Sequence, residues 1–363
     1  MRILFVLKNL RLDSGVNTAV AEIVGELRRR DYPVSIAALN GDGELLEHRV
    51  TPNHIQLNRL RGGRLRRIAA IRRLILNRNI DVVHSHLFEP SLVGSLATLG
   101  TAAAAVITEH STRYPALTKV DAVLEKMLVR AVNHEIVAVS QSVASACVSR
   151  IGIPLSRLRV IHNGLRAVHA MEPRPRCTSS RDTYELLIAG RLEVEKNVRF
   201  AIDVTKALID CGERVRLNVA GSGSMRSFLE NYSGGLSISS HVRFLGVITD
   251  MRRLMQTMDV LLLPSLWEGC PMVVIEAYAA GLPVAAASVP GAREIVTDGV
   301  TGVLFDTNRV AEAAARVRGL LQDESLRESI IAGAADRVKS FDISGAVDQL
   351  LECYKAAVQQ KRS

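Results

Sequence analysis

The chain has 363 residues, of which 48% are hydrophobic and 4% aromatic, and its formal net charge is +9. A chain of this length most often folds into two domains, and this apolar fraction is sufficient for sizeable cores. No apolar run reaches the roughly 18 residues of a membrane span, and we expect no signal peptide. The low aromatic content argues against a stacking platform for nucleic acid. We therefore expect a cytoplasmic protein with no nucleic-acid partner.

The basic excess lies entirely in the first half. Residues 1–170 contain 23 Lys and Arg against 13 Asp and Glu, or +10, whereas the remainder contains 23 against 24, or −1. The five cysteines are scattered and form no C-x-x-C pair. This pattern is typical of a reducing compartment and argues against structural zinc.

The first half alternates short apolar runs with helical periodicity. This alternation predicts βαβ units and a parallel sheet, whose ligands bind beyond the carboxyl ends of the strands. The predicted strands are 2–7, 34–39, 81–86, 104–109, 136–139 and 158–161, and the predicted helices are 16–30, 64–78, 88–99, 119–132 and 141–150.

Residues 166–183 interrupt the alternation with prolines, serines and charges, and they predict an interdomain linker. A second βα series follows, and residues 308–361 are predicted to be mostly helical. The predicted strands of the second series are 185–189, 215–220, 242–245, 259–263 and 283–287. The sequence thus predicts an α/β fold with two parallel sheets.

Three histidines end consecutive predicted strands of the first half: His84, His86 and His110. Metal binding is the sharper alternative, but no Asp or Glu completes a ligand pattern and the chain has no Asp-x-Asp pair. We expect no metal site. His110 is the best placed to contact a sugar hydroxyl, while a packed, hydrogen-bonded role is the default for His84.

The segment from Arg59 to Arg78 contains eight arginines and no acidic residue. Leu65, Ile68, Ile71 and Ile75 form an apolar stripe on its predicted helix. A basic amphipathic helix can lie on an anionic membrane surface. The alternative is a domain helix with a solvated basic face, and the apolar stripe favours that alternative.

Two cations follow the first strand of the second half. Arg191 and Lys196 lie just beyond residues 185–189, where open α/β sheets bind ligands. A guanidinium fork and an ammonium together suit a diphosphate. The alternative is a solvated loop in which the cations pair with Glu193 and Glu195. Gly221 begins a Gly-Ser-Gly turn after the next strand, which is typical of a turn near a phosphate or sugar.

Two glutamates, Glu268 and Glu276, lie eight positions apart around a predicted helix start. Pro271 fits the first helical turn, where its missing N–H has no cost. Cys270 is a poor N-cap, so we expect the first-turn amides to stay open to a ligand. Gly269 permits a ligand to approach the backbone closely. The segment therefore predicts a site for an anion that carries hydroxyl groups.

Taken together, these segments resemble glycosyltransferase family 4, the retaining sugar-nucleotide transferases of the GT-B fold. The resemblance is strongest from Ala189 to Phe305, through AGRLEVEKN, AGSGS, VRFLG, LLPSLWEGCPMVVIEAYAAGLPV and PGAREIVTDGVTGVLF. The first half matches more loosely, through DVVHSH, ITEH, VAVSQSV and VIHNG.

The resemblance implies two Rossmann-like domains: an acceptor-binding domain over 1–170 and a nucleotide-sugar-binding domain over 171–340. Residues 341–363 would form a final helix that crosses back to the first domain. The donor would be a UDP-sugar that serves as co-substrate, with no cofactor and no metal. The acceptor would be a glycan or a lipid-linked glycan.

The resemblance also assigns roles by motif position. Arg191 and Lys196 would neutralise the donor diphosphate, Glu268 would contact the donor sugar, and Glu276 would bind the ribose hydroxyls. The backbone amides near Gly269, Cys270, Pro271 and Met272 would bind the sugar or phosphate. Gly15 would approach the diphosphate, and His110 would contact a hydroxyl of the transferred sugar.

The leading hypothesis is therefore a hexosyl- or N-acetylhexosaminyltransferase of cell-surface polysaccharide synthesis, cytoplasmic and peripheral on the inner face of the plasma membrane. A sugar-nucleotide epimerase on the same scaffold and a non-catalytic binding protein are the alternatives. A glycosidase is a weaker interpretation of the two carboxylates, because an acid–base pair does not need the surrounding cations.

Overall fold

The computed structural model of the protein describes residues 1–11, 14–40, 56–59, 62–113, 119–131, 133–166 and 183–362. The predicted linker therefore lies almost wholly outside the described residues. The chain forms two compact units. The first comprises Met1–Leu12, Val16–Arg166 and Ile343–Ser363, and the second comprises Asp13–Gly15 and Ala167–Asp342.

The first unit is built on a parallel sheet, which in the described residues has seven strands in the order β3-β2-β1-β4-β5-β6-β7. Strand β1 is buried along its whole length, as its continuous apolar run predicts for a sheet covered on both faces. The strands are β1 (Ile3–Leu7), β2 (Val34–Ala38), β3 (Gln56–Arg59), β4 (Val82–His86), β5 (Ala104–Glu109), β6 (Asn133–Ala138) and β7 (Leu158–Val160).

The helices that connect these strands begin and end within two residues of their predicted bounds. They are α1 (Gly15–Arg29), α2 (Arg64–Arg78), α3 (Phe88–Ala97), α4 (Lys119–Ala131) and α5 (Gln141–Ile151). The sequence analysis missed β3, because Gln-Leu-Asn-Arg has no apolar run. This strand exists through its parallel pairing with β2.

Helix α2 uses only part of its predicted apolar stripe. Ile71 and Ile75 are buried in a core cluster with strands β1, β2 and β4, and Ile68 packs against that cluster. Leu65 was expected to share this face, but it is 83% exposed. The expectation was wrong for Leu65, because the first turn of α2 does not lie over the core. Arg66 and Arg73 are exposed.

The second unit contains a parallel sheet with the strand order β10-β9-β8-β11-β12-β13. This order is the same as that of the first six strands of the other sheet, β3-β2-β1-β4-β5-β6. The short strand β13 was not predicted. The strands are β8 (Tyr184–Ala189), β9 (Val215–Ala220), β10 (Val242–Gly246), β11 (Val260–Leu263), β12 (Val284–Ala287) and β13 (Val303–Phe305). The helices are α6 (Val198–Asp210), α7 (Arg226–Gly235), α8 (Met251–Gln256), α9 (Met272–Ala279), α10 (Pro290–Arg293), α11 (Val310–Gln322) and α12 (Glu324–Arg337).

The last helix, α13 (Ile343–Arg362), belongs to the first unit. Its buried face, which includes Val347 and Tyr354, packs into the same core cluster as β1, β2 and α1. Arg30, which directly follows α1, donates to the Ser344 carbonyl at 3.0 Å and pairs with Asp348. These contacts attach the end of the chain to its first βα unit. None of the described helices combines the length and apolarity needed to cross a bilayer.

The prediction of an α/β fold with two parallel sheets is confirmed. Both sheets follow the doubly wound order, in which the chain direction across the sheet reverses between the first and fourth strands of the series. Ligands of such sheets bind beyond the carboxyl ends of the strands at this switch point. In the first unit the switch point lies between β1 and β4, and in the second between β8 and β11.

Candidate active site

An ion pair occupies the switch point of the second unit. Lys196 lies in the loop after β8, Glu268 lies in the loop after β11, and Lys196 Nζ donates to Glu268 Oε1 at 2.6 Å. The side chains are 21% and 9% exposed, respectively. The two residues are 72 positions apart in the sequence. The topology of the sheet is therefore what brings them together.

Two hydrogen bonds connect the loop after β8 to the loop after β11. The Leu266 amide donates to the Glu195 carbonyl at 2.8 Å, and the Asn197 side chain donates to the Pro264 carbonyl at 3.2 Å. Asn197 adopts the left-handed conformation at φ 48° and serves as the N-cap of α6. A short 3₁₀ turn, Val194–Lys196, precedes it. The turn and the cap fix the backbone at Lys196, in the loop after β8.

Arg191 is not paired with the same group as Lys196. Its guanidinium bonds to Glu195, and its side chain is 46% exposed. For Arg191 the structure therefore shows the pairing that the sequence analysis held as the alternative. Glu193 has a different partner, since its carboxylate accepts from the amide and hydroxyl of Ser224 at 3.0 and 2.7 Å.

Gly221 has a reason to be glycine that does not involve a ligand. Its φ is +136°, and a Cβ at this position would lie 1.8 Å from the Gly190 carbonyl oxygen. Gly223 is similar, because its Cβ would lie 2.3 Å from the Leu192 oxygen. The loops after β8 and β9 thus pack backbone against backbone. Whether Gly221 also approaches a ligand stays a prediction.

Helix α9 begins at Met272, directly after Pro271. Pro271 is its N-cap, and no side chain caps the helix. The absence of a side-chain cap agrees with the expectation drawn from Cys270. Gly291 of α10 holds the preceding segment in place, since a Cβ there would lie 2.3 Å from the Glu268 carbonyl oxygen. Gly269, Cys270 and Met272 are buried, and Glu276 is half-buried in α9.

In the first unit, a histidine cluster occupies the switch point. His84 is fully buried, its Nδ1 lies 2.7 Å from the Tyr354 hydroxyl of α13, and its Nε2 lies 2.6 Å from Thr108 Oγ1. The default expectation for His84, a packed and hydrogen-bonded residue, is therefore confirmed. Burial lowers the pKa of His84 to about 3.

His86 and His110 form a second pair beside it. His86 Nδ1 and His110 Nε2 are 2.9 Å apart, and the His86 ring stacks on Phe5 of β1 with centroids 5.8 Å apart. Burial lowers the pKa of both histidines, that of His110 to about 3. His110 is half-buried. Among the described residues, no group of three His, Cys, Asp or Glu side chains could hold a metal ion.

Gly15 is the first residue of α1 and is exposed, and a Cβ there would meet nothing within 4 Å. Packing in the described structure therefore does not require glycine at this position. Its predicted approach to a diphosphate stays a prediction.

The sequence analysis missed two features near these sites. Ser265, directly before the Glu268 loop, is fully buried, and its hydroxyl has no hydrogen-bond partner among the described residues. In the first unit, Arg150 of α5 lies 2.8 Å from Glu125 and 3.6 Å from Glu109. Burial raises the pKa of Glu125 to about 7. No sequence pattern links these three residues, which come from three separate elements.

Known families match almost the whole chain. A family model described as Glycosyltransferase Family 4 matches residues 14–167, and one described as Glycosyl transferases group 1 matches residues 174–337. The chain belongs to the family 4 glycosyltransferases of the GT-B fold. Each of the two models covers most of one of the two sheets of the chain.

Its relatives include a glycogen synthase of Mycobacterium tuberculosis, 31% identical over 66% of this chain and 58% of the relative. A D-inositol 3-phosphate glycosyltransferase of Thermomonospora curvata is 29% identical over 76% of this chain and 72% of the relative. The chain thus spans less than two thirds of the length of the glycogen synthase. Among solved structures, Anabaena HepE in complex with UDP-glucose has a TM-score of 0.84 at 20% identity and covers 97% of this chain and 99% of that one. At this identity, the likeness shows the fold.

Proposed function

We propose that the chain is a retaining glycosyltransferase that moves a sugar from a UDP-linked donor to a glycan or lipid-linked acceptor in cell-surface polysaccharide synthesis. The observation that carries this proposal is the Lys196–Glu268 pair, which lies at a switch point beside a helix start without a side-chain cap. The complex of Anabaena HepE with UDP-glucose, a protein of the same fold, supports the choice of donor.

The charges of the pair suit both parts of such a donor. When the anomeric C–O bond breaks, its electron pair stays with the diphosphate, and a preorganised ammonium and helix-start amides stabilise that charge. A diphosphate carries more negative charge than one carboxylate, so donor binding would draw Lys196 away from Glu268. Glu268 would then accept hydrogen bonds from the donor sugar, which makes it a sugar ligand rather than a general acid.

Arg191 can join Lys196 on the diphosphate at little cost. Its bond to Glu195 is an exposed contact between residues four positions apart. Exposed ion pairs contribute only about 0.2–1 kcal/mol, so a phosphate can replace the carboxylate. Glu276 would bind the ribose hydroxyls, and the backbone from Gly269 to Met272 would surround the sugar or phosphate.

Retention would follow from attack on the face that the diphosphate leaves. The acceptor oxygen forms its bond to the anomeric carbon there, and its proton passes to an oxygen of the departing phosphate. No protein nucleophile is needed in this scheme. His110 of the first unit would contact a hydroxyl of the transferred sugar, and Gly15 would allow the diphosphate to approach the start of α1.

The deciding experiment measures donor binding and turnover. A thermal-shift screen with UDP-glucose, UDP-N-acetylglucosamine, GDP-mannose and ADP-glucose should show the largest stabilisation for a UDP-sugar, because a ligand that binds only the native state raises its apparent stability. Incubation of that donor with glycan acceptors should then yield a product with the donor's anomeric configuration, as read by proton NMR. Conversion of the donor to an epimer without acceptor would favour an epimerase, and binding without turnover would favour a non-catalytic protein.

Variants of the ion pair test the assigned residues. Lys196→Ala and Glu268→Ala should each lower turnover by about 10²–10³-fold, the range for loss of one preorganised charge-stabilising group. Lys206→Ala is the matched control, because Lys206 forms an exposed pair with Asp210 on α6 in the same unit. Turnover like the wild type in both site variants, with folding intact, would refute the assignment.

Helix α2 is the proposed contact with an anionic membrane on the inner face of the plasma membrane. Its core-facing isoleucines are used within the fold, while Leu65 and Arg66 are exposed. Each basic residue near an anionic surface contributes about 1 kcal/mol. Co-sedimentation with phosphatidylglycerol vesicles that weakens with salt would support this contact, and equal sedimentation with neutral phosphatidylcholine vesicles would contradict it.

A further inference from the structure

The contact between His86 and His110 has a consequence for the chemistry of His110. His86 is the last residue of β4, and His110 directly follows β5. His86 Nδ1 faces His110 Nε2 at 2.9 Å. His86 is 1% exposed, and its ring stacks on Phe5. The His86 ring is therefore held by packing, and it defines the position of the partner nitrogen of His110.

A hydrogen bond between two imidazoles needs one proton. Burial lowers the pKa of both rings, so both are neutral near pH 7. In a neutral imidazole one ring nitrogen donates and the other accepts. The nitrogen of His86 that carries the proton therefore also determines the nitrogen of His110 that carries one.

The second nitrogen of His86 identifies the donor. His86 Nε2 is buried and has no hydrogen-bond partner among the described residues. A buried N–H without an acceptor is rare and costly in proteins. The favoured tautomer has the His86 proton on Nδ1, where His110 Nε2 accepts it. The proton of His110 then lies on Nδ1.

We propose that His86 is the positioning residue that orients His110 and fixes it as a hydrogen-bond donor through Nδ1–H. The identity of the acceptor, an oxygen of the transferred sugar, rests on the proposed function. With its Nε2 lone pair already used by His86, His110 presents only a donor to the ligand. It binds a hydroxyl oxygen and does not act as a general base.

The neighbouring hydrogen bond between His84 and Tyr354 supplies the matched control. Both of its nitrogens have partners, the Tyr354 hydroxyl and Thr108 Oγ1, and its ring centroid lies 4.3 Å from that of His86. Tyr354→Phe removes a hydrogen bond from the same buried cluster without touching the bond between His86 and His110. Any effect of general loosening in the cluster should therefore appear in Tyr354→Phe as well.

The first test reads the tautomer directly. Long-range ¹⁵N–¹H NMR of the full chain, with signals assigned through His110→Gln and His86→Phe, should show the His110 proton on Nδ1 and the His86 proton on Nδ1. In His86→Phe, which retains a stacked ring, the His110 signal should change to a mixture of tautomers. A wild-type His110 with its proton on Nε2 would overturn the proposal.

The second test measures turnover of UDP-glucose or UDP-N-acetylglucosamine, whichever the wild type uses. His86→Phe should lower kcat by about 10–100-fold, the range measured when the hydrogen-bond partner that orients a metal-binding histidine is removed. KM should change little. His86→Asn places an amide donor near the Nδ1 position and should recover most of the loss, and Tyr354→Phe should retain wild-type turnover.

A double-mutant cycle separates positioning from simple packing. If His86 acts through His110, adding His86→Phe to His110→Ala should lower turnover no further. Independent, multiplying losses would overturn the proposal. A wild-type protein that turns over neither UDP-glucose nor UDP-N-acetylglucosamine would contradict the donor assignment of the proposed function, and the NMR spectrum would then decide the inference alone.

Discussion

The two switch points occupy the same place in their sheets, but one holds charged side chains and the other holds neutral ones. Between β8 and β11 the second unit holds an ion pair between Lys196, which is partly exposed, and Glu268, which is buried. Between β1 and β4 the first unit holds buried histidines whose pKa values burial lowers. The difference shows that the sheet order determines where a site lies, while the side chains determine its chemistry.

The supporting contacts differ in the same way. In the second unit the loops are held by backbone contacts, such as that between Gly221 and Gly190. In the first unit side chains connect the elements, as Tyr354 does when its hydroxyl contacts His84. The charged side chains that bind a ligand must keep fixed positions while the ligand binds and leaves, and a rigid loop backbone holds them there. Neutral buried groups instead need each polar atom to find a partner.

The largest expected effect comes from Gly221→Ala. A Cβ 1.8 Å from the Gly190 oxygen cannot be accommodated without moving the loop, and φ +136° is strained for alanine. We expect the free energy of unfolding of the second unit to fall by at least about 4 kcal/mol. The emission of Trp267, which is the one tryptophan of the chain and lies in the second unit, reports urea unfolding of that unit.

Gly235→Ala, at the end of α7 in the same unit, is the control for this prediction. Its Cβ would meet nothing within 4 Å, so its stability should change by no more than about 1 kcal/mol. A similar loss in both variants would show that backbone packing is not what distinguishes the loops after β8 and β9.

The next effect is acid sensitivity confined to the first unit. Histidines with a folded pKa well below the ordinary 6.5 stabilise the fold above pH 6.5, and this stability is lost as the pH falls towards the folded value. For His84, whose folded pKa is about 3, the loss between pH 6.5 and 5 is about 2 kcal/mol. Glu125 opposes it, because burial raises its pKa, but the histidines outnumber it.

Urea unfolding at pH 7 and pH 5 measures this difference. Far-UV circular dichroism should show part of the helical signal lost at lower urea at pH 5, while the Trp267 transition of the second unit should move less. Equal shifts of both signals would mean that the acid sensitivity does not arise from the histidine cluster.

The smallest effect concerns Glu125. Its folded pKa of about 7 lies above the ordinary value of 4.5, so its contribution is fully present below pH 4.5 and lost as the pH rises through 7. Glu125→Gln should therefore gain stability relative to the wild type between pH 5 and pH 8, by on the order of 1–2 kcal/mol. Thermal unfolding at both pH values measures it. Glu89→Gln, which alters the less buried pair with Arg67, should show no such trend.

Much of the fold could be predicted because its elements have strong local signals. The strand 104–109 and the helix 64–78 were predicted with their observed bounds, since apolar runs and helical periodicity are properties of contiguous residues. Strand β3 could not be predicted, because its polar sequence forms a strand only by pairing with β2. Leu65 could not be excluded from the core, because periodicity does not show where the core ends.

The features of the candidate site also fall into those set by local sequence and those set by the tertiary structure. The sequence by itself determined that Lys196 and Glu268 lie after strands, near a helix without a good cap, because strand ends and caps are local features. Only the tertiary structure decided that they contact each other across 72 positions, that Arg191 pairs with Glu195, and that His86 faces His110. These contacts depend on the order of the strands in each sheet, which brings together residues that no short sequence pattern connects.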